Sequence, residues 1–324
     1  MLASRSRQAG QGDDTTFMTP IHSARQRMWL KPAIASLRAA AWGMLLCAGM
    51  SQADTGIGLA ISGAGDSFEA HFSEALSARL HEQNESHHWR TAERSELLIA
   101  LGDDAFRHAL TLRRPVLGVF VSRQVALDAY ASGCACSAFF QEADPVRQLR
   151  LARLLFPGAR RIALVTSPQS AWNAGLLLAH AEAQDLVIEH HTAVNARDLA
   201  RALPRWLAQT DLLLAVHDPA LYSPDTARLV LLTSYRQNKP VIGPDEFFVQ
   251  AGSVASSYTS GTDMVEQVAD AVIRFRQRGR LPPPDFSEQI SVRINEHVAR
   301  TYEVPLQDPA AQAQQLMQEL EAPR

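Results

Sequence analysis

The sequence predicts an α/β protein made of two doubly wound, Rossmann-like lobes. Three observations support this fold class: short apolar runs alternate with helical segments, polar clusters follow the apolar runs, and the alternation restarts after Pro157-Gly158. Alternating strands and helices imply βαβ units with right-handed crossovers and a mainly parallel sheet. Two such sets in succession predict two lobes with a cleft between them.

The first set of elements begins with a predicted strand at Thr55–Ile61. Phe68, Phe72, Leu76 and Leu80 recur at helical spacing, which predicts an amphipathic helix from Ser67 to about Gln83. The same reasoning gives the rest of this set: strands Glu96–Leu101, Pro115–Val121 and Ser137–Phe140, with helices Ala105–Leu110 and Pro145–Phe156.

In the second set, two helix starts are predicted from the residues at their N-termini. Asn195 is a favourable N-cap for a helix that runs to about Gln209. Pro224 suits the first turn of a helix, and Asp225 complements the positive end of its dipole. The other elements predicted here are strands Arg161–Val165, Leu186–His190, Asp211–Val216, Lys239–Ile242 and Val254–Tyr258, with helices Ala171–Gln184 and Thr262–Gln277.

The N-terminal 53 residues predict a leader and a secretory signal peptide. Residues 1–24 are polar and irregular, and basic residues between Arg25 and Arg38 precede an apolar stretch, Ala39–Met50. That stretch is too short to span a bilayer as a helix. Ser51-Gln52-Ala53 provides small residues at the cleavage positions, so we predict cleavage after Ala53 and a soluble periplasmic protein. An anchored amphipathic start is the alternative.

Composition narrows the class of function further. The formal net charge is −3, and no basic stripe with interleaved aromatic residues occurs, so nucleic acid is not a predicted partner. Removing the leader leaves about 270 residues, which suits two domains of ordinary size. It also leaves Cys134 and Cys136, whose spacing is close for an easy disulfide. The sequence leaves two alternatives, a labile disulfide between them or two free cysteines in a polar loop.

No motif predicts catalysis, a cofactor or a metal site. Ser62-Gly-Ala-Gly-Asp66 looks like a phosphate loop but lacks the G-x-G-x-x-G spacing and a following P-loop lysine. No G-x-S-x-G elbow occurs, and His87-His88, His190-His191 and His217 lack the H-E-x-x-H spacing. A protein that binds a small molecule unchanged is therefore the favoured interpretation, and an exported enzyme of the same architecture is the weaker one.

Polar residues at the ends of the predicted strands are the candidate ligand contacts. Ligands of open parallel sheets sit beyond the carboxyl ends of the strands. Hydroxyls and N–H groups at helix starts suit a carboxylate, Asp218 or Asp245 suits an ammonium group, and Tyr222 or Tyr258 suits a flat side chain. Helix capping by Asp218 and Ser62 and lobe packing by Tyr258 are the structural alternatives. The candidates are Ser62, Gly63, Asp66, Gly102, Asp103, Ser122, Thr166, Ser167, Asp218, Tyr222, Asp245 and Tyr258.

Several segments resemble one family of known proteins. They include Pro145-Val-Arg-Gln-Leu, Phe156–Val165, Leu212–Asp218, Ser234-Tyr-Arg, Pro240-Val-Ile-Gly, Ala251-Gly-Ser-Val-Ala255, Gly279-x-Leu-Pro282 and Ile290–Asn295. The chain is similar to ABC-transporter substrate-binding proteins of the type I periplasmic fold, in particular the tryptophan- and phenylalanine-binding members. The resemblance covers most of residues 140–305. It implies capture of a small polar molecule, with a membrane permease and an ATPase as partners. A sensory or partner-docking protein of the same fold is the alternative.

The resemblance also implies a domain division. Residues 54–144 with about 260–283 would form lobe one, and residues 145–259 with about 284–306 would form lobe two. Residues 307–324 would be a C-terminal tail. Hinges would lie near Asp144–Pro145, Ser257–Ser260 and Pro283–Ser287, and closure about them would bury the ligand.

Overall fold

A computed structural model describes residues 56–63, 65–182, 184–305 and 308–321. All of these belong to one compact unit, Gln52–Arg324. The predicted leader and signal peptide lie outside the described residues. Within the described part of the chain, no helix is both long enough and apolar enough to cross a membrane.

The first sheet has five parallel strands in the order β2-β1-β3-β4-β5. The pairing is parallel throughout, as in β1 with β3, where Leu59 lies opposite Leu97. This order makes the sheet doubly wound, with a change of winding direction between β1 and β3. Its strands are β1 (Ile57–Ser62), β2 (His87–Trp89), β3 (Leu97–Leu101), β4 (Val116–Val121) and β5 (Cys136–Phe140).

Helices cover both faces of this sheet because its strands are apolar on both sides. Alternate residues of a strand point to opposite faces. Leu59 and Leu97 therefore pack in one core cluster, and Ala60 and Leu98 in another. The helices that cover the first sheet are α1 (Asp66–Glu82), α2 (Asp103–Leu110), α3 (Arg123–Ala131) and, from much later in the chain, α9 (Gly261–Arg278).

The second sheet repeats the same winding with one more strand. Its order is β11-β10-β9-β8-β6-β7, parallel except for β10 with β11. The winding direction changes between β6 and β8, the position equivalent to β1 and β3. The strands are β6 (Arg161–Thr166), β7 (Val187–Thr192), β8 (Leu212–Leu214), β9 (Val241–Ile242), β10 (Ala255–Tyr258) and β11 (Ser291–Ile294).

The second sheet is also covered on both faces. Ile162 packs in a cluster with α4 and α5, whereas its neighbour Ala163 packs in a cluster with α6 and α7. The helices are α4 (Pro145–Leu155), α5 (Trp172–Glu182), α6 (Ala196–Leu207), α7 (Pro224–Arg236), α8 (Glu246–Ala251), α10 (Glu296–Thr301) and α11 (Pro309–Glu321). Leu316 and Leu320 of α11 are buried against the α4 side.

The chain passes between the two sheets three times. The first crossover is residues 141–144 between β5 and α4, the second is 259–260 between β10 and α9, and the third is 279–290 between α9 and β11. In the third, Asp285 forms backbone hydrogen bonds with Ala138 and Phe140 and so extends the β5 edge of the first sheet.

Two buried glutamines fix the chain beside these crossovers. The Gln148 amide of α4 donates to the carbonyl of Gly243 (3.0 Å) and to that of Ser257 (2.9 Å), and its oxygen accepts from Ser257 N (3.2 Å). Gln267 of α9 accepts from the backbone N–H groups of Glu288 (2.9 Å) and Gln289 (3.0 Å). Each glutamine side chain thus substitutes for a backbone partner where the sheet hydrogen bonding stops.

The predicted fold class is confirmed, and most predicted elements lie within a few residues of the observed ones. Asn195 caps α6 as predicted, accepting from Arg197 N (3.0 Å) and Asp198 N (3.1 Å). Pro224 occupies the first turn of α7. The strand predicted over Asp211–Val216 is shorter, Leu212–Leu214. The sequence reasoning missed β2, α3, α8, α10 and α11, the last within the segment described as a tail.

The two cysteines that follow the predicted signal peptide are bonded to each other. Cys134, in the turn after α3, forms a disulfide with Cys136, the first residue of β5. Of the two outcomes that the sequence left open, the structure contains the bridge. It links residues two apart, so it constrains only this turn and leaves the lobes unlinked.

Candidate functional site

The candidate site lies at the carboxyl ends of the strands of both sheets. The crevice beyond the strand ends is the usual ligand position in a doubly wound sheet, above all where the winding direction changes. In the first sheet that point is formed by the residues after β1 and β3. In the second sheet it is formed by the residues after β6 and β8.

Asp103 and Ser122 are brought together at the edge of the first sheet. Asp103 begins α2 directly after β3, and Ser122 follows β4. The Asp103 carboxylate accepts from the backbone N–H of Ser122 (2.7 Å) and from its hydroxyl (2.7 Å). Arg107, one turn along α2, lies 3.7 Å from the same carboxylate. Both residues were predicted site residues, and their mutual bonds leave the Ser122 hydroxyl hydrogen committed to Asp103.

The other predicted residues near the edge of the first sheet lie after β1 and β3. Ser62 ends β1 and is half-buried, and Asp66 is exposed in the first turn of α1. Gly63 packs closely on Leu101, since an added Cβ would lie 3.1 Å from the Leu101 side chain. Gly102 has φ of +86°, a conformation that side chains with a Cβ rarely adopt. Gly102 therefore lets the chain turn after β3, and Gly63 lets the chain after β1 pack closely on Leu101.

Glu142 is a half-buried carboxylate that sequence reasoning missed. It follows β5, and both its oxygens accept from the backbone N–H of Arg123 (3.0 and 2.9 Å) at the start of α3. Burial raises the pKa of Glu142, and the nearby Asp103 charge raises it further, against the lowering effect of the Arg123 N–H. The edge of the first sheet thus carries two interacting carboxylates, which favours ligand groups that donate hydrogen bonds.

The two lobes touch through Arg123 and Trp172. The Arg123 guanidinium lies over the Trp172 ring, 4.5 Å from its centroid, in a cation–π contact. Arg123 starts α3 at the edge of the first sheet, and Trp172 starts α5 beyond β6 of the second. Phe286 of the third crossover lies beside the same ring, 6.2 Å away between centroids. This contact joins the carboxyl end of one sheet to that of the other, and neither residue was predicted.

Asp218 holds together the two loops at the change of winding in the second sheet. One of its oxygens accepts from the Ser167 backbone N–H (2.7 Å) and from the Ser170 hydroxyl, and the other accepts from Ala220 N (3.0 Å). The side chain is buried, with 2% of the residue exposed. Asp218 and Ser167 are therefore adjacent, as expected of residues from one site. That Asp218 also contacts a ligand stays a prediction.

Thr166 and Tyr222 face the protein interior. The Thr166 hydroxyl lies 2.8 Å from His190 Nε2 on the neighbouring strand β7. The Tyr222 ring packs edge-on against Phe248 in a core cluster, and its hydroxyl donates to the Val165 carbonyl (3.1 Å). Burial raises the pKa of Tyr222 above its ordinary value. The structure thus places these two predicted residues where they support the β6 edge.

Asp245 and Tyr258 end the adjoining strands. Asp245 caps α8, accepting from Phe248 N (2.9 Å). Tyr258 is the last residue of β10 and is half-buried. Burial raises the pKa of the Tyr258 hydroxyl, with Glu246 adding to the effect. Capping explains Asp245 locally, whereas the position of Tyr258 next to the second crossover leaves part of its ring accessible.

His217 carries an unused hydrogen-bonding atom beside this group. It lies three residues beyond β8, next to Asp218, and its Nε2 is buried with no hydrogen-bond partner among the described residues. Burial lowers the pKa of His217 even though the Asp245 and Asp218 charges raise it, so the imidazole is neutral at pH 7. An unpaired buried polar atom costs stability, and a bound ligand is one way to satisfy it.

The described residues contain no group of three or more side chains arranged to bind a metal ion. His190 instead pairs with Thr166, and His191 stacks on Trp206 with ring centroids 4.6 Å apart. The His190-His191 pair therefore has structural contacts of its own, and His87 Nε2 likewise lies 3.1 Å from the Ser77 hydroxyl.

Comparison with known proteins gives a match in structure only. No family model matches this chain, and no curated protein matches it. A ligand-free, open substrate-binding protein with adhesive properties from Clostridium difficile matches at a TM-score of 0.61 and 14% identity, covering 78% of this chain and 97% of that one.

Two further solved structures share the fold. One is an ABC domain in complex with L-Trp from Streptococcus pneumoniae, with a TM-score of 0.54 and 13% identity over 79% of this chain and 97% of that one. The other is a conserved domain protein from Vibrio cholerae, with a TM-score of 0.54 and 15% identity over 79% and 98%. At these identities the matches show the fold, the two-lobed fold of periplasmic binding proteins, which the sequence resemblance predicted.

Proposed function

We propose that this chain is an extracytoplasmic substrate-binding protein that captures a small polar molecule between its two lobes for ABC-type uptake. One observation supports this most strongly: two sheets with equivalent winding meet at their carboxyl ends through Arg123 and Trp172. A ligand at that junction would contact both lobes, and closure of one lobe on the other would enclose it.

The side chains near the junction favour a ligand that both donates and accepts hydrogen bonds. At the first sheet edge Glu142 and Asp103 offer acceptor oxygens and Arg123 offers guanidinium donors. At the second sheet edge His217 offers an unpaired ring nitrogen. A free amino acid or a related compound has this combination, with its ammonium toward the carboxylates and its carboxylate toward Arg123. The Streptococcus pneumoniae protein of the same fold binds L-Trp.

Mass spectrometry of small molecules released from the purified protein tests the proposal directly. We expect one compound, unchanged, at close to one molecule per chain. Isothermal titration with that compound then compares the wild type with His217→Asn, and with His297→Asn on the exposed face of α10 as a matched control. We expect weaker binding for His217→Asn alone. Turnover of the compound would favour the exported enzyme instead.

Two further measurements test closure and export. Solution scattering should give a smaller radius of gyration with saturating ligand, and an unchanged profile would argue against a hinged cleft. N-terminal sequencing of the protein from its native host should find Asp54 as the first residue, since the proposed signal peptide ends at Ala53. Cytoplasmic protein that keeps residues 28–53 would contradict the periplasmic location and with it the proposed permease and ATPase partners.

A further inference from the structure

A cavity lies beside the third crossover, between the end of α9 and the β5 edge of the first sheet. Its volume is about 540 Å³, and its walls are the end of α9, residues 280–288, and side chains of α3 and β5. We infer that this cavity binds an organic anion, a molecule with a carboxylate or phosphate group on an apolar body. Phe286 borders both this cavity and the Arg123–Trp172 contact, but the three arginines of the cavity are not among the residues of the proposed cleft, and the inference does not depend on the cleft ligand.

Three arginines supply the positive charge of this cavity. Arg274 and Arg278 lie one turn apart on α9, and Arg280 follows Gly279, which ends the helix in a left-handed conformation with φ of +67°. The sharp turn at Gly279 sends the chain back along the cavity, which is why Arg280 lines it together with the two helical arginines.

These guanidiniums are mostly unpaired. Arg274 is 3.9 Å from Glu288, and its Nε is buried without a hydrogen-bond partner among the described residues. Arg278 and Arg280 make no ion pair or side-chain hydrogen bond with any residue that the structure describes. A guanidinium presents a planar fork of donors that matches a carboxylate or phosphate.

The carboxylates of the cavity do not cancel this charge. Glu288 is an exposed side chain, with 74% of its area accessible, and approaches only Arg274. Asp285 accepts a hydrogen bond from the adjacent backbone N–H of Phe286 (2.8 Å). Two guanidiniums therefore remain for an incoming anion.

The rest of the lining is apolar and aromatic. Phe139 and Phe286 are buried, Tyr130 is partly exposed, and Leu281 and Pro282 complete the wall. An inorganic ion would leave this surface in contact with water, whereas a ring or a short hydrocarbon body would cover it. The combination of unpaired guanidiniums with an aromatic wall is the reason for assigning an organic anion rather than a simple salt ion.

Isothermal titration with 1-naphthoate, and with the uncharged 1-naphthamide of the same shape, tests the assignment. We expect naphthoate to bind at one site and naphthamide to bind at least about tenfold more weakly, because it lacks the charge-assisted hydrogen bonds. The double variant Arg278→Gln with Arg280→Gln should weaken naphthoate by about tenfold or more. Arg236→Gln, an exposed arginine at the end of α7, is the matched control and should leave binding unchanged.

Three results would overturn the inference. Naphthamide binding as tightly as naphthoate would show that charge is irrelevant. Naphthoate binding that the double variant leaves unchanged would place it elsewhere, and binding lost in His217→Asn but kept in the double variant would place it at the cleft. Both arginines are exposed, so the double variant should melt like the wild type, which separates lost binding from lost fold.

Discussion

Replacing Gln148 by leucine should destabilise the protein by about 3 kcal/mol. The Gln148 side chain is 1% exposed, and its amide bonds the carbonyls of Gly243 and Ser257, the Ser256 hydroxyl (3.1 Å) and the Ser257 N–H. Leucine has a similar volume but makes none of these bonds. The amide NH2 has two hydrogens to share among its three acceptors, so with the bond from Ser257 N the side chain makes about three full hydrogen bonds. Each lost neutral hydrogen bond costs about 1 kcal/mol.

Urea unfolding followed by circular dichroism measures this loss. Gln277→Leu, at an exposed position of α9, is the control and should change the free energy of unfolding by less than about 0.5 kcal/mol. A change that small in Gln148→Leu would refute the reasoning, because it would mean that the bonds beside the second crossover contribute nothing.

The variant Gln148→Glu tests the same hydrogen bonds through the pH dependence of the free energy of unfolding. Burial and the facing carbonyl oxygens of Gly243 and Ser257 would raise the pKa of the introduced carboxyl in the folded state above its unfolded value. The protonated form keeps a donor, so the variant should be closest to wild type below that unfolded pKa and lose stability as the pH rises. If the difference in free energy of unfolding between this variant and the wild type did not change with pH, the buried position of residue 148 against these carbonyls would be contradicted.

Three other outcomes follow from the structure. Gly118→Ala should lower the free energy of unfolding by about 1–3 kcal/mol, because its Cβ would lie 2.7 Å from the Phe106 ring, whereas Gly158→Ala, in open space, should change little in the same denaturation assay. Asp218→Asn should weaken binding of the released ligand about ten- to a hundredfold if Asp218 contacts it, and calorimetry showing full affinity would leave it a purely structural residue. The ligand-free protein should melt at lower temperature as the pH falls from 7 to 5, because the pKa of His217 is lower folded than unfolded, and His217→Asn should lessen that fall.

The sequence predicted the fold because buried strands and helices have apolar runs of characteristic length and spacing. Apolar runs such as Leu97–Leu101 are buried on both faces, so they carry no alternation and read as strands of a covered sheet. The missed elements lack such apolar runs. His87–Trp89 is a three-residue edge strand of polar and aromatic residues, and α3 buries little besides Ala126.

The candidate site was predicted less completely than the fold. Position after a strand located Asp103, Ser122, Ser167 and Asp218 at the strand ends, and the structure brings them together in pairs. Position alone does not say which way a side chain points, and so Tyr222 was included although its ring packs in the core. Residues defined by contacts between distant segments were missed.

Glu142 and Trp172 illustrate this second limit. Glu142 matters because it bonds the start of α3, and Trp172 because Arg123 of the other lobe covers its ring. Neither relation is local in sequence, so no motif or periodicity encodes it. The strand-end criterion could nevertheless have included two missed positions. His217 directly follows a predicted strand, and Glu142 lies two residues after another, the same spacing as Asp218.

The bonds that fix the chain beside the crossovers are made by neutral amides. Neither the Gln148 nor the Gln267 side chain titrates, and their bonds to backbone groups are buried from dissolved ions. These glutamine bonds should therefore not change with pH or salt, unlike the contacts of the Glu142 carboxyl in the first crossover. Any effect of pH on the arrangement of the two sheets should therefore come from charged groups such as Glu142 and not from the two glutamines.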